Sequence, residues 1–284
     1  MNDFSIQKKQ LLLLLAIVFL IVYRSPELLL YPRLWAEEGS IYLRYAYHNN
    51  ILDSLFFVPK YSIGYLALSV NIPVTLAAHL FPLEYAPLIT TYCSLLIALL
   101  PIIIIIYGHS YIWDNFFKKI LACLLIVGLP IGETVGEIWL NSINAQIFCG
   151  LIALCLLFEK LHQINIKKAW FYRILLLFCG LSGPYTAFLT FAFALKASYE
   201  RSKESLWQFM IVALTASIQF TIFLAVKQFG LLDKVRLDFF NFSDAIDYIG
   251  YYFMLAPIMG STIERPELNI VVSTLSILIV LYVF

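Results

Sequence analysis

The chain has 284 residues, of which 62% are hydrophobic and 13% are charged, with a net charge of +1 and a mean hydropathy of +0.86. Soluble domains carry about 25% charged residues, so this composition excludes an ordinary soluble enzyme, a disordered chain and a disulfide-stapled secreted scaffold. The net charge of +1 also creates no positive electrostatic field that would attract nucleic acid. Apolar runs reach about 20 residues, the length of a membrane-spanning helix. We therefore predict an all-α polytopic membrane protein, a transmembrane helical bundle of about 7–8 spans that forms a single membrane domain over residues 1–284.

The first span is predicted to stay uncleaved. Lys8 and Lys9 precede an apolar run that meets Tyr23, Arg24 and Ser25, without the small-residue cleavage site of a signal peptide. Because basic residues mark the cytoplasmic side, the N-terminus is expected inside and residues 24–84 form a long first outer loop. The apolar runs lie at 10–30, 62–81, 85–107, 118–131, 143–159, 169–196, 205–229 and 269–284.

The run at 62–81 decides the topology. It contains Asn71, Pro73 and His79, which suit a partly embedded, interfacial helix better than a lipid-exposed span. If it does not cross, 11 of the 19 basic residues lie inside, as the positive-inside rule requires; 13 of the 18 acidic residues then lie outside. The run at 169–196 has basic flanks on both sides, so it should form two short arms that turn at Ser182-Gly183-Pro184. A later outer loop is expected at 230–268.

The acidic pair Glu37-Glu38 is the first candidate for chemistry. Two adjacent carboxylates near the bilayer surface repel each other, and partial burial raises the pKa of at least one, which suits a general base. Gly39 is expected to make a tight turn before a helical stretch that runs to about Tyr47. The alternative interpretation is a helix N-terminus, where paired acids interact favourably with the helix dipole.

A second polar segment covers residues 132–146. If it is helical, Glu133, Glu137, Asn141 and Asn144 lie on one face, and Gln146 carries the polar character into the following apolar run. Such a stripe should face the protein interior or a wet cavity, or else supply interhelical hydrogen bonds.

The later outer loop offers candidates for binding a phosphate. These are Lys234, Arg236 and Arg265, because arginine can donate two parallel hydrogen bonds to an anion. The five cysteines lie inside apolar runs, and the four histidines are scattered. Neither set has metal-ligand spacing, so the sequence predicts no metal site.

The order of these features resembles the GT-C superfamily of polytopic glycosyltransferases. The likeness is to poorly characterised bacterial members and rests on PRLWAEEGSIYLRYA, YSIGYLAL, FPLEYAP, NSINAQ and GLSGPY. It covers most of residues 20–190 and is thin beyond residue 200. The resemblance implies that Glu37 and Glu38 stand where such enzymes hold the base that deprotonates the acceptor hydroxyl. Glu37 is slightly favoured because the family's catalytic acid is often the first of the pair.

What the resemblance implies is an inverting transferase of the bacterial inner membrane, with its site on the periplasmic or external side. A sugar would pass from a polyprenyl-phosphate-linked donor to a cell-envelope acceptor. The expected partners are therefore the lipid-linked donor, the acceptor and membrane lipids, but not nucleic acid. No cofactor is expected; a divalent metal is left open but is not indicated, since the acidic triplet of metal-using members is absent. The residues expected to bind substrate are Glu133, Glu137, Asn141, Asn144, Gln146, Tyr185, Lys234, Arg236 and Arg265.

Two other function classes stay open. A lipid-linked-sugar flippase or small transporter would place its polar groups at mid-bilayer, reachable from both sides. A non-catalytic assembly subunit would leave the two polar segments far apart. Members of the superfamily are usually longer, and this sequence ends within the apolar run LSILIVLYVF, so a truncated or split product and a minimal member are both retained.

Overall fold

The computed structural model describes residues 3–24, 26–59, 64–128 and 139–228, and every regular element in these ranges is helical. A wide π-helical turn, Glu38–Leu43, leads directly into α3. The predicted all-α class is therefore confirmed for these residues. The helices are α1 Asp3–Arg24, α2 Pro26–Leu30, α3 Arg44–His48, α4 Ile51–Leu55, α5 Leu68–Leu80, α6 Ala86–Tyr107, α7 Phe116–Gly128, α8 Ala145–Leu157, α9 Ile166–Gly180, α10 Thr190–Glu200 and α11 Lys203–Gln228.

Three of the described helical segments are long and apolar enough to cross a membrane. They are Ile6–Arg24 in α1, Leu83–Tyr107 around α6, and α11. Most of α6 is buried in the bundle, whereas α1 and α11 expose most of their apolar residues. Long apolar surfaces of this kind are stable in lipid and not in water, which supports an integral membrane protein.

Contacts between helix ends fix the directions of α1, α6 and α7. Gln10, near the start of α1, donates from Nε2 to the carbonyl of Ile106 at the end of α6 (2.9 Å). Lys119, near the start of α7, donates from Nζ to the same carbonyl (2.8 Å). The Arg24 guanidinium at the end of α1 donates to the Val127 carbonyl at the end of α7. Helices α1 and α7 therefore run in one direction and α6 in the other.

The remaining helices continue this alternation. The turn before α8 contacts Glu38, and Glu159, just after α8, forms a β-bridge with the segment that follows α6. Helix α9 returns to the first loop, where the Leu68 N–H donates to the Leu181 carbonyl (3.0 Å). Lys196 of α10 lies back beside Glu159, donating to its carbonyl (2.9 Å). The bundle thus has two ends, which we call the Glu38 end and the Glu159 end.

Helix α5, within the predicted 62–81 run, does not have the length of a span. It has 13 residues, whereas about 20 are needed to cross the hydrocarbon core. It packs with the π-helical turn, α3 and α4 in a small hydrophobic cluster, and α6 begins from that same cluster. The chain therefore enters and leaves the first loop at the Glu38 end, which agrees with the expectation that this run does not cross. The buried members of the cluster are Tyr42, Leu43, Ala46, Ala67, Val70, Val74, Ala77 and Ala86.

The apolar run at 169–196 is broken where the sequence indicated. Helix α9 ends at Gly180 and α10 begins at Thr190, with Ser182-Gly183-Pro184 in the turn between them. Gly183 has a φ of +115°, a conformation that glycine adopts far more readily than other residues. The two arms are antiparallel and have 15 and 11 residues.

Candidate functional site

The acidic pair Glu37-Glu38 lies where the chain after α2 enters the π-helical turn. The tight turn predicted here exists, but Ala36 makes it, with a φ of +41° that costs a residue with a Cβ about 1–2 kcal/mol. The prediction that Gly39 makes the turn was wrong, since Gly39 lies inside the helical turn. Glu37 is half-buried and Glu38 is fully buried, with 0% of its surface exposed.

The Glu38 carboxylate accepts three hydrogen bonds. The Trp35 N–H donates to Oε2 at 2.9 Å, and the backbone N–H and hydroxyl of Ser142 donate to Oε1 at 2.6 and 2.5 Å. Ser142 belongs to the second polar segment and follows Glu38 by 104 residues. Direct hydrogen bonds therefore join the two segments that the sequence singled out.

Burial raises the pKa of Glu38 above its ordinary value, and the hydrogen bonds from Ser142 and Trp35 oppose this only in part. The expectation that burial would raise the pKa of one acid of the pair is confirmed. Because the folded protein binds this proton more tightly than the unfolded chain, the resulting stabilisation is present at low pH and is lost as the pH rises through the folded-state pKa.

The pH dependence of stability should report this burial. We expect the unfolding temperature of the wild type to fall relative to that of Glu38→Gln between the lowest and the highest pH at which both proteins stay folded. Circular dichroism of both proteins in one detergent measures the difference. Glu84→Gln removes an exposed acid of the same loop and should follow the wild type. A wild-type to Glu38→Gln difference that is the same at both pH values would contradict the raised pKa.

The predicted helical stripe is not continued through Asn141 and Asn144. Helix α8 begins only at Ala145, and Leu140 has a φ of +59°. Asn141 Oδ1 accepts from the Asn144 N–H at 2.8 Å, a side-chain bond that competes with helix formation and closes a turn. The two residues therefore lie in a turn and not on one helix face. Glu133 and Glu137 lie outside the described residues.

Gln146 and Tyr185 connect α8 to the turn after α9. Gln146 is buried, and a Cβ added to Gly183 would come within 2.4 Å of its Oε1. Tyr185 packs on α8, where its Cβ lies close to the backbone of Gly150. Because Gln146 lies one turn after Ser142, the residues Glu38, Ser142, Gln146 and Gly183 form a continuous group, which we call the Glu38 cluster.

Gln219 of α11 ties three parts of the chain together beside this cluster. Its Oε1 accepts from the Leu66 N–H (3.0 Å), while Nε2 donates to the carbonyls of Leu66 (2.9 Å) and Gly180 (3.1 Å). Sequence reasoning missed this residue, although a glutamine inside the apolar run 205–229 is a signal of an internal polar contact.

Tyr42 is a second residue that sequence reasoning missed. Its hydroxyl is buried and has no hydrogen-bond partner in the described part of the chain. Burial raises its pKa, and the nearby Tyr65 and Glu37 add to this effect. The Glu37 carboxylate therefore lies close to a buried phenol. Nothing in the sequence distinguishes Tyr42 from the other tyrosines, of which the chain has 18 in all.

The predicted phosphate-binding residues Lys234, Arg236 and Arg265 lie outside the described residues. Within the described ranges, no group of three or more His, Cys, Asp or Glu side chains is placed to hold a metal ion. All five cysteines are free, and Cys123, Cys149, Cys155 and Cys179 are buried.

The Glu38 cluster and its chain neighbours bring seven residues that the sequence marked to one end of the bundle. These are Glu37, Glu38, Asn141, Asn144, Gln146, Gly183 and Tyr185. Two left-handed residues, Ala36 and Leu140, stand two positions before the hydrogen-bonded partners Glu38 and Ser142. Strained backbone of this kind often occurs at functional sites. No protein-family model, no curated protein and no solved structure matches the chain.

Proposed function

We propose that this chain is an integral membrane glycosyltransferase of the GT-C type. It would transfer a sugar, with inversion, from a polyprenyl-phosphate-linked donor to a cell-envelope acceptor. The observation that supports this most is the set of hydrogen bonds from Ser142 to Glu38, because an assembly subunit has no need to join the two polar segments. Their position at one end of the bundle favours a transferase over a transporter, whose polar site would lie at mid-bilayer.

The proposed topology uses α1 and α6 to α11 as seven spans, with the N-terminus in the cytoplasm of a bacterial cell. The Glu38 end then faces the periplasm or the exterior, since the basic residues gather at the Glu159 end. Helices α8, α9 and α10 have 13, 15 and 11 residues. Helices this short have to be shielded by protein or line a cavity.

Glu37 is proposed as the base and Glu38 as a positioning residue. Glu37 is only half-buried, so an acceptor hydroxyl can approach it, whereas three donors hold Glu38 away from solvent. The acceptor oxygen bonds to the anomeric carbon while its proton passes to Glu37. The bond from that carbon to the phosphate oxygen breaks, and polyprenyl phosphate leaves with the electron pair. Lys234, Arg236 or Arg265 would stabilise the charge on the leaving phosphate.

Substitution of the base tests the proposal. Glu37→Gln is expected to lower transfer about 10²–10⁴-fold with an unchanged unfolding temperature, because an amide cannot accept the hydroxyl proton. The measurement is release of polyprenyl phosphate by the purified full chain, from a panel of labelled polyprenyl-phosphate sugars with a membrane extract as acceptor.

The control is Glu84→Gln, which changes an exposed acid of the same loop and should keep wild-type transfer. Glu38→Gln should also lower transfer, but together with stability, because it disturbs a buried hydrogen-bonded group. Full transfer by Glu37→Gln would rule out the base assignment. Absence of release by the wild type from every donor of the panel would rule out the reaction.

A further inference from the structure

Charged residues are paired differently at the two ends of the bundle. At the Glu38 end, no ion pair is found among the described residues. At the Glu159 end, each acid whose side chain is described contacts one base. The pairs are Asp114–Lys118 (3.0 Å), Glu159–Lys168 (3.5 Å), Glu200–Lys196 (4.0 Å) and Glu204–Arg173.

Basic residues remain in excess at the Glu159 end after this pairing. Lys119 donates to carbonyls at the end of α6, and Lys160 lies 5.3 Å from the ring centre of Tyr111, so both are engaged. The others are exposed and have no ion-pair partner in the described ranges. These are Lys8, Lys9, Lys167, Arg201 and Lys203.

Exposed aromatic rings lie at the same end as these unpaired bases. Trp170 and Trp207 both contact the guanidinium of Arg173, whose Cζ lies 4.8 and 5.5 Å from the two ring centres. Trp170 follows Lys167 by three positions in α9, and Trp207 follows Lys203 by four positions in α11, spacings that place side chains on the same helix face. Trp170 is 55% exposed, Trp207 is 54% exposed and Tyr199, at the end of α10, is 91% exposed. Exposed Trp and Tyr beside Lys and Arg are typical of the membrane–water interface, where the rings lie at the level of the headgroups.

We propose that the Glu159 end binds anionic lipid headgroups through Lys167, Arg201 and Lys203, with Trp170 and Trp207 at headgroup depth. The described acids of this end are paired with other bases, so these three bases are available to contact an anion. At this depth a membrane supplies the phosphate of an anionic lipid. This inference is independent of the proposed sugar transfer.

The test compares the lipid preference of the full chain in vesicles. Quenching of tryptophan fluorescence by brominated phosphatidylglycerol and by brominated phosphatidylcholine gives the ratio of the two association constants. The wild type should prefer the anionic lipid, with roughly a five-fold contribution from each base that contacts a headgroup. The triple variant Lys167→Gln, Arg201→Gln, Lys203→Gln should lose most of this preference, and about 0.5 M NaCl should weaken it in the wild type.

The matched control is Arg33→Gln with Arg44→Gln, which removes two exposed bases at the Glu38 end and should keep the wild-type ratio. A wild-type ratio near one, or an equal loss in both variants, would overturn the proposal. Loss of the preference on adding inorganic phosphate at constant ionic strength would indicate a small-anion site and would also overturn it. If circular dichroism shows that the triple variant does not fold, the three single substitutions are compared in its place.

Discussion

Replacing Glu38 with alanine is expected to lower the free energy of unfolding by about 2–5 kcal/mol. The substitution leaves the buried N–H groups of Trp35 and Ser142 without their acceptor, and each such donor costs about 1–3 kcal/mol. Glu38→Gln should cost about half as much. Its amide oxygen still accepts from Ser142, while its amide nitrogen faces the Trp35 N–H, which cannot accept a hydrogen bond.

Unfolding of the purified protein in mixed micelles by increasing amounts of SDS measures these energies. Glu84→Ala, at an exposed position of the same loop, should stay within about 0.5 kcal/mol of the wild type. Ser142→Ala should cost less in the Glu38→Ala background than alone, since the two residues are in direct contact. A wild-type value for Glu38→Ala would show that the carboxylate is not buried among these donors.

Gly183→Ala is expected to destabilise the protein by about 2–5 kcal/mol. The φ of +115° is unfavourable for alanine by about 1–2 kcal/mol. The new Cβ would also come within 2.4 Å of Gln146 Oε1, and overpacking of this kind typically costs about 1–3 kcal/mol. Because Gln146 and Ser142 are one turn apart, displacement of Gln146 should also lower any activity of the Glu38 cluster.

A second substitution separates the two causes. Gln146→Ala in the Gly183→Ala background should recover the unfolding free energy that is lost to the close contact. The loss that is due to the unfavourable φ should remain. Gly128→Ala is the matched control, since a Cβ there meets no described atom within 4 Å, and it should be neutral or slightly stabilising. Equal unfolding energies for Gly183→Ala and Gly128→Ala would contradict the close packing of α8 on the turn.

The helical class and the position of the broken run were predictable from local sequence. Apolar runs of membrane length favour helices whatever surrounds them, and Gly183-Pro184 interrupts a helix through its own backbone preferences. The position of the first-loop turn was not predictable in this way. Gly39 is the better turn residue, yet the hydrogen bond from the Trp35 N–H to Glu38 holds Ala36 in the left-handed region.

The difference between Glu37 and Glu38 depends on the tertiary structure. The two residues are identical and adjacent, so nothing local distinguishes them, whereas in the fold Ser142 meets Glu38 from the turn before α8. The prediction of a helical stripe from Glu133 to Asn144 was wrong for Asn141 and Asn144, and the reason is local. Helical periodicity was assumed there, whereas an asparagine that bonds to nearby backbone N–H groups favours a turn.

The separation of Glu38 and Ser142 also affects the order of events during synthesis. The two residues are 104 positions apart, so at about 5–20 residues per second the ribosome adds the serine roughly 5–20 s after the glutamate. During this interval the carboxylate has to stay hydrated, because an unpaired charge is costly in an apolar environment. Ser142 can bind Glu38 only after α6 and α7 have been synthesised and inserted. The hydrogen bonds between Glu38 and Ser142 can therefore form only once these early helices are in their correct places.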